Sequence, residues 1–153
     1  MRCFLYISLV IFLFSLSQGG ITGFDAYASI YADAKKWLEN GWCDYMTPQL
    51  YWATTSTGQN FTKLLDWWTD KTINKQNRLI YAGTAVYKMD SSQSNWAASE
   101  IMNQVSVTRG TRERGCYGAT HFTMNYFLSN LKGISDEFKK VFTKPALTPL
   151  KAL

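Results

Sequence analysis

Cys43-Asp44-Tyr45-Met46-Thr47-Pro48-Gln49-Leu50-Tyr51-Trp52 decides the fold. It is short, aromatic and rich in β-forming residues, and a Thr, Ser and Gly loop follows it as far as Asn60. That combination reads as one strand and a long loop. Alternation along the strand puts Met46 and Leu50 on one face, suited to packing helices. Tyr45, Thr47, Gln49 and Tyr51 fall on the other.

Working outward, apolar side chains recur at helical spacing before the strand, at Tyr27, Ile30, Tyr31, Ala34, Trp37 and Leu38. The spacing predicts a single helix from Asp25 to Asn40, with Asp25 as its N-cap and Gly41 as its stop. After the loop, Phe61 to Asn74 predicts a second helix, with Phe61, Leu64, Leu65, Trp68 and Ile73 on its buried face. Strand Arg78 to Gly83, helix Trp96 to Arg109, strand Cys116 to Thr123 and helix Gly133 to Phe142 follow. Pro145 and Pro149 end the last of these.

A helix followed by three strand-helix units specifies an α/β fold with a parallel sheet and crossover helices. Two architectures fit: a small doubly wound sheet, or part of a TIM (β/α)8 barrel. A whole barrel takes about 250 residues and eight units, so a barrel reading makes these the last three strands and their helices. Such a slice has two open parallel edges, which invite association.

Parallel α/β folds meet their ligands at the C-terminal ends of the strands, which here means Gln49, Tyr51 and Trp52. An amide both donates to and accepts from a sugar hydroxyl, and an aromatic ring stacks on the apolar face of a pyranose. The same residues beside Pro48 also suit simple closure of a barrel top, and the sequence leaves both roles open.

Among 153 residues the formal net charge is +5 and the aromatic content 16%. The Lys and Arg residues are scattered over helix faces, among them Lys35, Lys36, Lys63, Lys71, Lys139 and Lys140, with no basic stripe beside exposed rings. Nucleic acid is therefore not expected as a partner. The charge suits an anionic envelope polymer equally well. His121 is the only histidine, so no Cys/His cluster for a metal is expected. No cofactor is expected either, since the chain carries no Gly-rich phosphate loop, and a Gly-x-Ser-x-Gly elbow is also lacking. His121 has two possible places, the cleft or the core. Cys43 and Cys116 fall on strands that are second neighbours, about 10 Å apart at the usual spacing and beyond disulfide reach; both are expected as thiols. Asn60-Phe61-Thr62 is a glycosylation sequon in a eukaryotic secretory setting.

Met1 and Arg2 precede an apolar run from Cys3 to Leu16, then Ser17, Gln18, Gly19 and Gly20. This is the layout of a secretory signal peptide with Ser17 and Gly19 at the −3 and −1 positions. Residues 1–20 are expected to be such a leader, or the remnant of a truncated start, and residues 21–153 the body of the domain. A secreted, envelope or periplasmic location follows from that expectation.

The stretch Tyr31-Ala32-Asp33, Lys36-Trp37 and Gly41 to Trp52 resembles the late-barrel signature of the family 10 glycosyl-hydrolase-like proteins of bacterial envelopes. Leu65, Trp67-Trp68, Tyr81-Ala82-Gly83 and Tyr87-Lys88 resemble the next unit. Trp96, Glu100-Ile101, Asn103-Gln104-Val105 and Arg109 resemble the helix after it. Gly118, Phe122-Thr123, Asn130, Gly133, Pro145-Ala146-Leu147 and Pro149 resemble the last strand and tail. The resemblance runs from about Phe24 onward. It implies the C-terminal part of a TIM-like barrel and hydrolysis of a glycan of the peptidoglycan type. It also implies a substrate cleft lined by Gln49, Tyr51, Trp52, Tyr87 and Lys88. Lys88 itself suits two roles, steering an anionic sugar substituent or standing as a solvated surface lysine.

One departure matters. The family carries an earlier strand ending in an acidic Asp-Asp-Tyr-like motif, and this chain has no match to it. Glycoside hydrolysis ordinarily needs two carboxyl groups. Of the 11 acids, Asp25, Asp33, Glu39, Asp66, Asp70, Glu100, Glu113, Asp136 and Glu137 fall on helices or their ends. Asp44 starts its strand, and Asp90 alone lies beyond a strand end. The expectation is therefore a glycoside-hydrolase-like segment incomplete for catalysis by itself, completed by the N-terminal part of a barrel, with its catalytic residues unassigned. A non-catalytic carbohydrate-binding segment and a small unrelated secreted α/β domain are the alternatives.

Overall fold

The computed structural model describes residues 26–145. The expected leader and the Asp25 cap lie outside them. In chain order the elements are α1 (Ala26–Ile30), α2 (Ala34–Glu39), β1 (Tyr45–Met46), α3 (Phe61–Thr69), β2 (Leu79–Ala85), α4 (Ala98–Gly110), β3 (Cys116–Phe122), α5 (Asn125–Leu128) and α6 (Ile134–Val141). Single 3₁₀ turns sit at Val86–Met89, Arg112–Arg114 and Leu131–Gly133.

The three strands form one parallel sheet in the order β1-β2-β3. This is the expected α/β architecture. The register pairs Tyr45 with Leu79 and Met46 with Ile80 across β1 and β2. On the other side Gly83 pairs with Thr120, Thr84 with His121 and Ala85 with Phe122. The expected strand from Cys43 to Trp52 is narrower than its sequence pattern, because Pro48 has no N–H for a ladder. Pairing resumes at Gln49, which bridges to Gly83. Gly83 donates to the Pro48 carbonyl at 2.9 Å, and Leu50 donates to the Gly83 carbonyl at 2.9 Å. Only glycine allows this approach, since a Cβ at position 83 would lie 2.7 Å from the Pro48 oxygen.

Alternation along β1 holds. Met46 and Leu50 are buried together with Leu38, Phe61, Leu64, Leu65, Trp68, Ile80, Ala82 and Cys116 in one core between sheet and helices. Full burial of each large side chain among them contributes about 1.5–3 kcal/mol. Asn60 starts α3, its side-chain oxygen accepting from the backbone N–H groups of Thr62 and Lys63. Its amide nitrogen donates to the carbonyls of Thr54 and Ser56. The buried sequon asparagine is thus committed to capping and loop contacts, which leaves its nitrogen unsuited to carrying a glycan. A second core joins Val86, Met89, Ile101 and Ile134, with Trp96, Phe127, Leu131 and Phe138 against them.

Two helix expectations need correction. The single helix from Asp25 to Asn40 is two helices within the described residues, broken at Tyr31, whose φ of 56° is incompatible with a right-handed helix. Asp33 then caps α2 by accepting from the Lys36 N–H at 3.0 Å. The helix expected from Phe61 to Asn74 stops at Thr69, and Ile73 packs against the core from the following turns. Gly41 stops α2 as expected, at φ 68°. Its carbonyl accepts from the Arg78 guanidinium at 2.7 Å.

Cys43 precedes β1 and Cys116 begins β3, two strands apart, and neither is in a disulfide. Among the described residues no helix is long and apolar enough to cross a membrane.

Candidate functional site

The helices cover the sheet face that carries Met46, Ile80 and Ala82. The opposite face carries Tyr45 and Tyr81, whose rings meet edge to face with centroids 5.8 Å apart. Gly118 leaves room for Tyr81; a Cβ there would touch the ring at 3.5 Å. Higher on this face come Gln49, Gly83 and Thr120, and at the C-terminal ends of the strands Tyr51, Ala85 and Phe122.

At that end three rings converge. Tyr51 and Phe122 stack with centroids 6.5 Å apart, Tyr51 and Tyr87 meet edge to face at 6.0 Å, and Tyr87 and Phe122 do so at 6.1 Å. These separations lie in the favourable range for aromatic pairs. Tyr51 comes from the segment after β1, two residues past the Gln49 bridge, Tyr87 from the 3₁₀ turn after β2, and Phe122 is the last residue of β3. Phe122 remains 54% exposed, so the cluster presents a ring to solvent. Burial first, and the neighbouring Tyr87 second, push the Tyr51 phenol above its ordinary pKa. It therefore keeps its proton at neutral pH and can both donate and accept.

Beside the rings, Lys88 reaches back across the strand ends. Its ammonium donates to the Tyr51 carbonyl at 2.6 Å and lies 5.2 Å from the centre of the Trp96 ring. Burial lowers its pKa. No carboxylate among the described residues pairs with it. Gln49 is partly buried on the same face, and among the described residues its side-chain amide has no protein hydrogen-bond partner. Trp52 follows Tyr51 and turns to the helical side, where it packs against the main core and offers its carbonyl to Gln104 at 3.3 Å. Of the five residues expected to line a cleft, the structure brings Tyr51, Tyr87 and Lys88 together and sets Gln49 on the same sheet face. Phe122 joins them unforeseen. Its sequence signals are its place as the last apolar residue of a strand and its presence in the Phe122-Thr123 pair of the family-like last strand.

The segment following Trp52 is anchored by Glu100 of α4. One carboxylate oxygen accepts from the Thr54 N–H at 2.7 Å and the other from its hydroxyl at 2.9 Å. Gln104 adds a bond to the same carboxylate at 2.9 Å. Glu100 is fully occupied in holding this loop. Asp66 pairs with Arg114, Glu39 with Lys35 and Lys75, Asp136 with Lys139, and Glu137 with Lys140. Asp90 follows the turn that carries Tyr87 and Lys88, and is exposed.

His121 lies on the helical side of the sheet, away from the ring cluster, and is partly buried. Its ring faces the helices, with Phe127 at 5.5 Å and Phe138 at 5.1 Å. Its Nδ1 lies 2.7 Å from the hydroxyl of fully buried Thr84. Burial lowers its pKa to about 4, which leaves the ring neutral at neutral pH. Among the described residues no group of three His, Cys, Asp or Glu side chains could hold a metal ion.

Residues 11–99 match the model of the family described as glycosyl hydrolase-like 10. The chain belongs to this family. Among its relatives, the glycosyl hydrolase YngK of Bacillus subtilis (strain 168) is 30% identical over 138 residues, which cover 88% of this chain and 26% of that protein. The glycosyl hydrolase DigH of Escherichia coli (strain K12) is 39% identical over 67 residues, 44% of this chain and 15% of that protein. DigH of Shigella flexneri matches to the same extent. The chain therefore spans about a quarter or less of the length of these relatives. The glycosyl hydrolase-like 10 match includes β1 and β2 with their ring-bearing ends, while β3, with Phe122, lies beyond residue 99.

Proposed function

We propose that this glycosyl hydrolase-like domain holds an envelope glycan of the peptidoglycan type at the C-terminal ends of its strands, as the late part of a (β/α)8 barrel. The observation that carries the reading is the convergence of Tyr51, Tyr87 and Phe122 there, with Lys88 bonded to the Tyr51 carbonyl and Gln49 on the same sheet face. The rings offer apolar platforms to sugar faces, and the Gln49 amide, without a protein partner among the described residues, offers a donor and an acceptor to one hydroxyl. Lys88 stands ready to meet a carboxylate on the sugar.

Cleavage needs an acid and a base or nucleophile on either side of the glycosidic bond. Of the described carboxylates, Glu100 is already bound by Thr54 and Gln104, and Asp90 follows the turn that carries Tyr87 and Lys88 with no ion pair among the described residues. On this reading the acid pair belongs to earlier barrel strands, whose partnership would also cover the ring-bearing sheet face. The chain acts in the envelope or outside the cell, in keeping with its apolar N-terminal run.

The test is an assay of reducing-end release from purified peptidoglycan, paired with a sedimentation assay of retention on it. Retention without release by this chain alone is the expected result. Release at a rate abolished by Asp90→Asn would overturn the assignment of the acids to other strands, and failure to be retained would overturn the glycan reading.

A further inference from the structure

The geometry points to a second binding site, away from the ring cluster, for a small organic anion that carries its charge on an apolar body. A cavity of about 650 Å³ lies between α4, the first half of β3 and the segment leaving α6. None of Gln49, Tyr51, Trp52, Tyr87, Lys88 and Phe122 lines it, so it is independent of the proposed glycan site.

Its floor is apolar or neutral. Val105, Cys116 and Ala119 supply carbon and sulfur surface, and His121 is uncharged at neutral pH. Thr108 has already spent its hydroxyl proton on the Gln104 carbonyl at 2.8 Å. The lining includes three cations, Arg109, Arg112 and Lys144, and no Asp or Glu. Among the described residues none of the three has a carboxylate within ion-pair distance. Arg109 is held in place: its guanidinium donates to the Val141 carbonyl at 3.1 Å and stacks 4.5 Å from the centre of the Phe142 ring.

The volume is in the range of pockets that enclose small ligands. Guanidinium groups bind carboxylate and phosphate oxygens through paired N–H donors. An apolar floor under a cationic lining therefore selects neither a bare ion, which would leave the floor wet, nor a neutral apolar molecule, which would leave the cations without a counter-charge. It selects the two joined.

Phenyl phosphate is the probe, added to the full chain, with binding followed through the backbone amide shifts of Tyr117, Gly118 and Ala119. Saturable binding at one site is expected, at least fivefold tighter than inorganic phosphate or benzyl alcohol. Arg112→Ala combined with Lys144→Ala should weaken it at least fivefold, and Arg112→Lys, which keeps the charge with Lys144 intact, should bind more tightly than that double variant. Both side chains are exposed, so the fold should survive, and the shift map of the unaltered chain tests the location independently. Equal binding of inorganic phosphate, equal binding of benzyl alcohol, or shifts centred on Tyr51 and Phe122 instead would each overturn the inference. So would a double variant that binds as tightly as the original.

Discussion

The Lys88 ammonium lies 2.6 Å from the carbonyl oxygen of Tyr51, tying the turn after β2 to the chain leaving β1. A hydrogen bond with one charged partner contributes roughly 1.5–3 kcal/mol when shielded. The partial exposure of Lys88 argues for the lower end. Lys88→Met should therefore lower the stability by about 1–2 kcal/mol, read as a shift in the urea midpoint at unchanged slope. An unmoved midpoint would mean that the contact has no energetic role.

Thr84 and His121 make stability depend on pH with a definite sign. The folded state holds the His121 pKa near 4, below its ordinary value of 6.5. Between those values the unfolded chain binds the extra proton and the folded chain does not, so stability falls as pH drops from 6.5 towards 4 and levels off below. The shift corresponds to a loss on the order of 3 kcal/mol from this group across the window. His121→Gln, which keeps a polar partner for Thr84, should flatten that part of the profile. Identical urea midpoints at pH 7 and pH 5 in the original chain would contradict this account.

Glu100 and Thr54 connect α4 to the loop that follows the site. Glu100→Ala leaves the Thr54 N–H and hydroxyl without their acceptor and takes one of two acceptors from the Gln104 amide, at a cost of about 2 kcal/mol. Limited proteolysis should then cut between residues 53 and 60 sooner than in the original chain. If the cleavage pattern stays the same, the clamp is not what orders the loop.

Asn60 offers a similar test at the start of α3. Asn60→Ala removes the cap and abandons the Thr54 and Ser56 carbonyls, and should cost about 2 kcal/mol. Asn60→Asp keeps the cap acceptor and should recover part of that. Thermal unfolding of the three chains orders them, and a ranking with Ala at or above Asp would show that the cap is unimportant.

Much of this architecture could be read along the chain. Met46 and Leu50 alternate with Tyr45, Gln49 and Tyr51 because a strand with one helix-covered face must do so, and Phe61, Leu64, Leu65 and Trp68 mark one side of α3. What could not be read depends on contacts between distant segments. The Tyr31 break turns on one backbone angle that the helical spacing hides. The part played by Phe122 rests on its register opposite Ala85, and the Glu100 clamp joins residues 46 positions apart. Trp52 belongs to the same strand end as Tyr51, and its packing on the helical side follows from the alternation of neighbours in an extended chain.

The most direct test is a retention isotherm on insoluble peptidoglycan, comparing the original chain with Tyr51→Ala, Gln49→Ala and Phe122→Ala, each first shown to be folded by its circular dichroism. If the strand-end cluster holds the glycan, all three substitutions weaken retention at least fivefold, while Leu128→Ala, an exposed apolar control on α5, leaves it unchanged. Equal retention of the original chain and the three site variants would contradict the assignment of a glycan to these strand ends.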